Sequence, residues 1–163
     1  MLPAPGIKTL AEKKLVGNRI RMCLAENKTP VLWKNFMPRR HEIANGVDNN
    51  LFSMQVYDKG FNINELNLQT QFDKWALREV SDFNSVPESM ETFTLPGGLY
   101  AVFHYKGDAS NAPAVFRYIF GTWIPSSGYL IDDRPHFEIL GEKYKRDDPG
   151  SEEEIWIPIR KRD

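Results

Sequence analysis

Hydrophobic and polar positions along this chain fall into two similar sets. Residues 32–38 read LWKNFMP and residues 119–125 read IFGTWIP: aliphatic, aromatic, two spacers, aromatic, aliphatic, proline. Trp33 aligns with Phe120, Phe36 with Trp123 and Pro38 with Pro125. Each copy follows a strand-like stretch and precedes another, so the shared unit is larger than seven residues. A duplicated βαββ half cannot bury its apolar face alone, and two such halves must pack on each other. The seam between them is where ligand pockets tend to lie. The pattern divides the chain into halves of about 1–86 and 87–163 within one domain spanning 1–163.

The elements follow from periodicity. Lys8 to Ala25 is strand-rich, with Ile20, Met22 and Leu24 alternating with Arg21 and Cys23; Gly17-Asn18 inside it marks either a turn or a bulge. Thr29-Pro30 predicts a helix start, a hydroxyl cap followed by a residue of fixed φ. That helix carries Val31, Leu32 and Phe36 inward, and Pro38 ends or kinks it. Residues 51–57 predict a strand. Residues 72–80 are ambiguous by pattern and are assigned as a strand because the second copy has one there. Ser81 to Met90 links the halves. In the second half, Thr92–Leu95, a Pro96-Gly97-Gly98 turn and residues 99–107 predict strand, turn and strand. A helix spans Asn111 to Trp123 and is closed by Pro125-Ser126-Ser127-Gly128. Residues 135–142 and the final EIWIPIRK predict strands joined by a charged loop, Lys143–Glu153.

A chain of 163 residues, 41% of them hydrophobic, can build a core and is not disordered. The formal net charge of −1, with both signs dispersed, lacks the basic stripe of a nucleic-acid binder. The short basic clusters Lys13–Lys14, Arg39–Arg40, Lys143–Arg146 and Arg160–Arg162 are accounted for by a solvated surface. Cys23 is the sole cysteine, which excludes an internal disulfide and a cysteine-based zinc site. No stretch approaches the ~18 apolar residues of a membrane span, and the N-terminus lacks a signal peptide's apolar segment. These features lead to the expectation of a cytoplasmic protein with no membrane partner and no direct nucleic-acid partner.

The sharpest chemical candidate is Glu138, set between Phe137 and Ile139 in a strand. Alternation places Phe137 and Ile139 on one face and His136, Glu138 and Leu140 on the other. If Phe137 and Ile139 meet the helices, Glu138 points to the opposite face, towards the seam. A carboxylate losing hydration there needs a cation or hydrogen bonds, and a ligand cation can supply that; exposure or a local Lys or Arg partner is the plainer alternative. Ile155, Ile157 and Ile159 share one face of the last strand, so Trp156 is expected to share the other with Glu138. A Trp beside a carboxylate suits a flat or lipophilic cation. Tyr57, Trp75 and Tyr100 are further aromatic-wall candidates, each equally explicable as core. The spacing of His41, His104 and His136 does not call for a metal site, and no cofactor is expected. Pro96-Gly97-Gly98 lacks phosphate-loop spacing, and Ser126-Ser127-Gly128 is turn chemistry.

Four segments together resemble the gyrase-inhibitor-like family, equivalent to the effector-binding domain of AraC-type and MerR-type regulators. They are Leu99–Phe103 with Gly107, Trp123–Tyr129, Pro135–Glu138 and Ile155–Ile159, with a weaker match through Leu51–Tyr57 and Glu79-Val80. The resemblance implies an α+β fold: two pseudo-twofold-related βαββ modules forming a curved antiparallel sheet, a central ligand cleft, and helices outside. It implies that Glu138 occupies the acidic position that recognises lipophilic cations in drug-sensing relatives. No room remains for a helix-turn-helix before Lys8 or after Lys161, so the chain is expected to be a stand-alone member, similar to integron cassette cation-binding proteins.

Three functions are then open. The first is a module binding amphipathic, cationic small molecules, in transcription regulation or drug sensing, with a separate regulator as partner. The second is a protein inhibitor of DNA gyrase. The third is a hydrolase of reactive, cyclopropane-type molecules, in which Glu138 and Tyr100 form the catalytic pair.

Overall fold

The two sequence copies follow the same path. A short strand, Gly6–Leu10 (β1), leads into Lys13–Met22 (β2), helix Thr29–Phe36 (α1), Gly46–Val56 (β3) and Phe72–Val80 (β4). Another short strand, Glu91–Leu95 (β5), leads into Gly98–Lys106 (β6) and a helical segment made of Ala112–Tyr118 (α2), a π turn over Ile119–Trp123, and Ile124–Ser126 (α3). Tyr129–Ile131 (β7), His136–Leu140 (β8) and Glu152–Lys161 (β9) complete the chain. The computed structural model describes residues 2–145 and 147–163.

Pairing is antiparallel throughout, in the order β1-β6-β9-β8-β3-β4-β2-β5, with β7 beside β9. The order is a palindrome about the β3–β8 seam, which is the pseudo-twofold expected from the repeat. Its ends hold a surprise. β1 precedes the first copy yet pairs with β6 of the second, and β5 precedes the second yet pairs with β2 of the first. Strand, turn and strand around Pro96 is therefore not a hairpin: each half donates its leading strand to the other. Leu10 and Leu95, the last residues of the two exchanged strands, are both buried.

One face of this sheet carries no helix and is apolar at its centre. Leu10, Leu15, Phe52, Trp75, Tyr100, Phe137 and Trp156, drawn from both ends of the strand order, form a single cluster, and the sheet curls around it. The other face carries two separate clusters. Leu32 and Phe36 of α1 pack on Val16, Ala76 and Val80. Val115, Ile119 and Ile124 pack on Phe103, Ile155, Ile157 and Ile159. The repeat is visible in burial: Leu32 and Ile119 are buried, and Trp33 and Phe120 are each half-buried.

Several local expectations change. Gly17-Asn18 is neither turn nor bulge, since β2 pairs without interruption across it. A Cβ at Gly17 would lie 1.9 Å from the Ala76 carbonyl oxygen, so only glycine lets β2 and β4 approach this closely. Thr29 is the first helical residue rather than the cap; the Asn27 side-chain oxygen accepts its N–H at 3.0 Å. Val31 faces solvent. Pro38 lies in the 3-10 turn Met37–Glu42 after α1. The second helical segment runs past Trp123 to Ser126, taking Pro125 into its last turn. The short β7 is an additional strand that the pattern does not announce.

Because the space beside Gly17 is filled by backbone, Gly17→Ala should destabilise the fold by about 3 kcal/mol, the upper end for overpacking. Urea denaturation of the two proteins checks this, and a change under about 0.5 kcal/mol would contradict the close approach.

Candidate functional site

The helical clusters cover β2 and β4 at one side and β6 and β9 at the other, leaving the seam strands between them. Directly opposed residues of an antiparallel pair share a face. The register Phe103–Ile155–Glu138–Ser53–Ala76 therefore forms one rung on the helix-bearing face. The neighbouring rung is His136–Gln55–Lys74. Glu138 thus reaches the seam, as expected, but on the same side as the helices; Phe137 and Ile139 occupy the helix-free face. On its rung Glu138 stands between Ile155 and the small Ser53.

Glu138 opposes Ile155, not Trp156. This single register fact corrects the expectation that Trp156 shares its face. Trp156 opposes Phe137 and stacks on it with ring centroids 5.3 Å apart and planes 16° from parallel. Tyr100 lies in the same cluster, fully buried, with its hydroxyl donating to the Pro135 carbonyl at 3.0 Å. Trp75 packs there against Phe93. These three aromatics are walls of the helix-free core, and Tyr100 is not placed beside Glu138. Tyr57 is the one anticipated aromatic on Glu138's side. It meets His136 edge-on at 5.3 Å, and Phe120 reaches the same imidazole from the helical segment at 6.0 Å.

A charged relay runs across the floor. Lys74 Nζ donates to Gln55 Oε1 at 2.5 Å, and Gln55 Nε2 donates to Glu138 Oε2 at 3.3 Å. Lys74 is only 8% exposed. Glu138 is half-buried: solvent touches it although protein surrounds it, the condition of a group on a cleft floor. Lost hydration raises the Glu138 carboxyl above its ordinary value, with the Lys74 charge and the Gln55 hydrogen bond acting against it. Burial lowers the Lys74 ammonium, opposed by Glu138 and Glu153. Glu153 is pushed up to about 7, first by lost hydration, then by the Glu138 charge. The Tyr57 phenol is raised by burial and by Glu138.

Neither Lys74 nor Glu153 stands out by motif. The signal for Glu153 was its parity with Ile155, Ile157 and Ile159. Lys74 shares parity with Ala76 on β4. The two are counterparts under the pseudo-twofold: Lys74 lies two residues before Ala76, which opposes Ser53, and Glu153 two residues before Ile155, which opposes Glu138. The rung is flanked by two cavities. One, of about 1040 Å³, is lined by Glu153, Tyr105 and Val115; the other, of about 710 Å³, by Tyr57, His136 and Arg134.

With that geometry in place, the chain matches the integron-associated effector-binding protein family over residues 6–159, and it belongs to that family. It is 30% identical over 129 residues to the transcriptional regulator BrlR of Pseudomonas aeruginosa. The match takes in 78% of this chain and 45% of BrlR, so the chain spans less than half the length of that relative. Among solved structures, SAV2435 bound to tetraphenylphosphonium superposes with a TM-score of 0.73 at 14% identity, covering 97% of this chain and 94% of that one. An integron cassette protein from Vibrio cholerae superposes at 0.63 with 14% identity, covering 98% and 97%. At these identities the likeness establishes the fold. Among the described residues, no helix is long and apolar enough to cross a membrane.

The floor also sets a pH dependence. Burial, then the Arg134 charge, lowers His136 from 6.5 to about 3. The unfolded chain protonates it below about pH 6.5 and the folded chain does not, so its contribution is whole above 6.5 and lost as pH falls through 3. Glu153 acts oppositely: raised from 4.5 to about 7, it contributes below 4.5 and loses that contribution as pH rises through 7. The two slopes offset each other between 4.5 and 6.5, and His136 acts alone of the pair below 4.5. Against His136→Phe, wild type should lose stability by about 1.4 kcal/mol per pH unit on acidification from 6.5 towards 3. Parallel stability profiles for the two proteins would refute the buried neutral imidazole.

Proposed function

We propose that this effector-binding domain takes up amphipathic cations in the cleft between its two helical segments. The carrying observation is the pair of carboxylates, Glu138 and Glu153, on a floor bordered by apolar and aromatic side chains that include Val115, Tyr57 and Phe120. Two carboxylates against one lysine leave a net negative charge when all three are ionised. Both acids are raised by lost hydration. A positive ligand group restores part of what that hydration supplied, while a neutral one does not. Phe120 and Tyr57, which converge on His136, offer faces for stacking or cation–π contact.

The structural likeness to a protein bound to tetraphenylphosphonium supports the choice of a bulky aromatic cation as the ligand class. The likeness of sequence to a transcriptional regulator supports a sensing role, in which the occupied cleft is reported to a transcription complex. Glu138 is read here as part of the charged floor. Trp156, Trp75 and Tyr100 are read as supports that stiffen the sheet from behind rather than as ligand contacts.

Calorimetric titration with tetraphenylphosphonium and with neutral triphenylphosphine oxide tests the reading. Wild type should prefer the cation. The double variant Glu138→Gln/Glu153→Gln should weaken it by about 1.5–3 kcal/mol, or roughly 10- to 150-fold, the scale of a hydrogen bond to a charged group, with the oxide little changed. Equal affinity for both compounds in wild type would refute the cationic reading.

A further inference from the structure

Resting on the cationic reading above, we infer that Lys74 is the built-in counter-ion of Glu138, so that Glu153 is the carboxylate a bound cation meets. The geometry carries this through Gln55. Its amide has one arrangement that serves both neighbours: the carbonyl oxygen accepts from the Lys74 ammonium, and the NH₂ group donates to Glu138. The reverse arrangement would set NH₂ against ammonium and oxygen against carboxylate. Lys74 and Glu138 therefore hold Gln55 fixed, and the charges at the two ends of the relay cancel.

Glu153 is in a different position. Among the described residues its carboxylate makes no hydrogen bond and no ion pair, although Lys106 and Lys143 line the same cavity. Lys143 is engaged with Glu152 at 3.6 Å. The cavity that Glu153 lines is the larger of the two, and its apolar wall comes from α2, with Val115 buried and Tyr118 exposed at its border. A lipophilic cation can lay its body against α2 and its charge against Glu153 without breaking any interaction on the page. To seat the same charge on Glu138 it must displace the Gln55 amide and stand beside a lysine.

Two consequences separate this assignment from one in which Glu138 alone recognises charge. Removing the Glu153 charge should abolish cation preference while removing the Glu138 charge does not. Removing Lys74 should strengthen cation binding, because Glu138 is then uncompensated. A gain in affinity cannot be mistaken for misfolding.

The experiment is the calorimetric comparison of the same phosphonium cation and its neutral oxide on Glu153→Gln, Glu138→Gln, Lys74→Met and Lys74→Met/Glu138→Gln. Expected results are a loss of at least 10-fold in cation affinity with loss of preference over the oxide for Glu153→Gln, and a smaller loss with the preference kept for Glu138→Gln. Lys74→Met should gain at least 3-fold, and the double variant should return to the wild-type value. Preference kept in Glu153→Gln and lost in Glu138→Gln overturns this inference and leaves the cationic reading standing, as does a Lys74→Met protein with unchanged affinity. Equal binding of cation and oxide to wild type overturns both.

Discussion

The exchange of leading strands is the constraint on which the rest of the molecule depends. A βαββ half presents two apolar faces, and its helix covers one. The second face can be buried only against the other half. By pairing β1 with β6 and β5 with β2, the chain fixes the halves side by side and curls the sheet until residues from both of its ends meet in one cluster. Every later feature is placed by that curl. The centre of the helix-free face becomes a buried interior, and the two helical segments are held apart over different strands.

What is left between the helices is a strip of floor two strands wide. Polar side chains are tolerated there because no helix presses on them and because they satisfy one another. Gln55 serves as acceptor for Lys74 and donor for Glu138, so two ionisable groups share one amide. A half-satisfied version of the relay would be costly at such a depth. Glu153 avoids this cost differently, by opening onto a cavity and by holding a proton up to about pH 7. The cleft thus combines a closed circuit with one open terminal.

Much of this was legible in the sequence. The LWKNFMP and IFGTWIP copies announce the pseudo-twofold, the strand at 72–80 follows from its counterpart, and Glu138 stands out as a charge within an apolar strand. Parity along one strand is local, and it held. Parity between strands is not: whether Glu138 opposes Ile155 or Trp156 depends on the register of β8 against β9, which only the folded chain sets. A slip of one residue there moves a whole side-chain set to the other face. Trp156 therefore lies on the face away from Glu138, in one cluster with Tyr100 and Trp75. Lys74 carries no local signal, because its burial arises from neighbours on β3 and β8, about 20 and 60 residues away along the chain. The strand exchange was hidden for the same reason, since a turn such as Pro96-Gly97-Gly98 signals a reversal without naming the partner.

Fusing two copies in one polypeptide has a consequence for what the cleft can distinguish. A dimer of identical halves would have to show the same side chain on both flanks of its central rung, and could recognise only ligands indifferent to being turned end for end. Here the equivalent flanking positions carry Lys74 and Glu153, opposite in sign. The floor therefore has a polarity, and a ligand bound to it has a head end and a tail end.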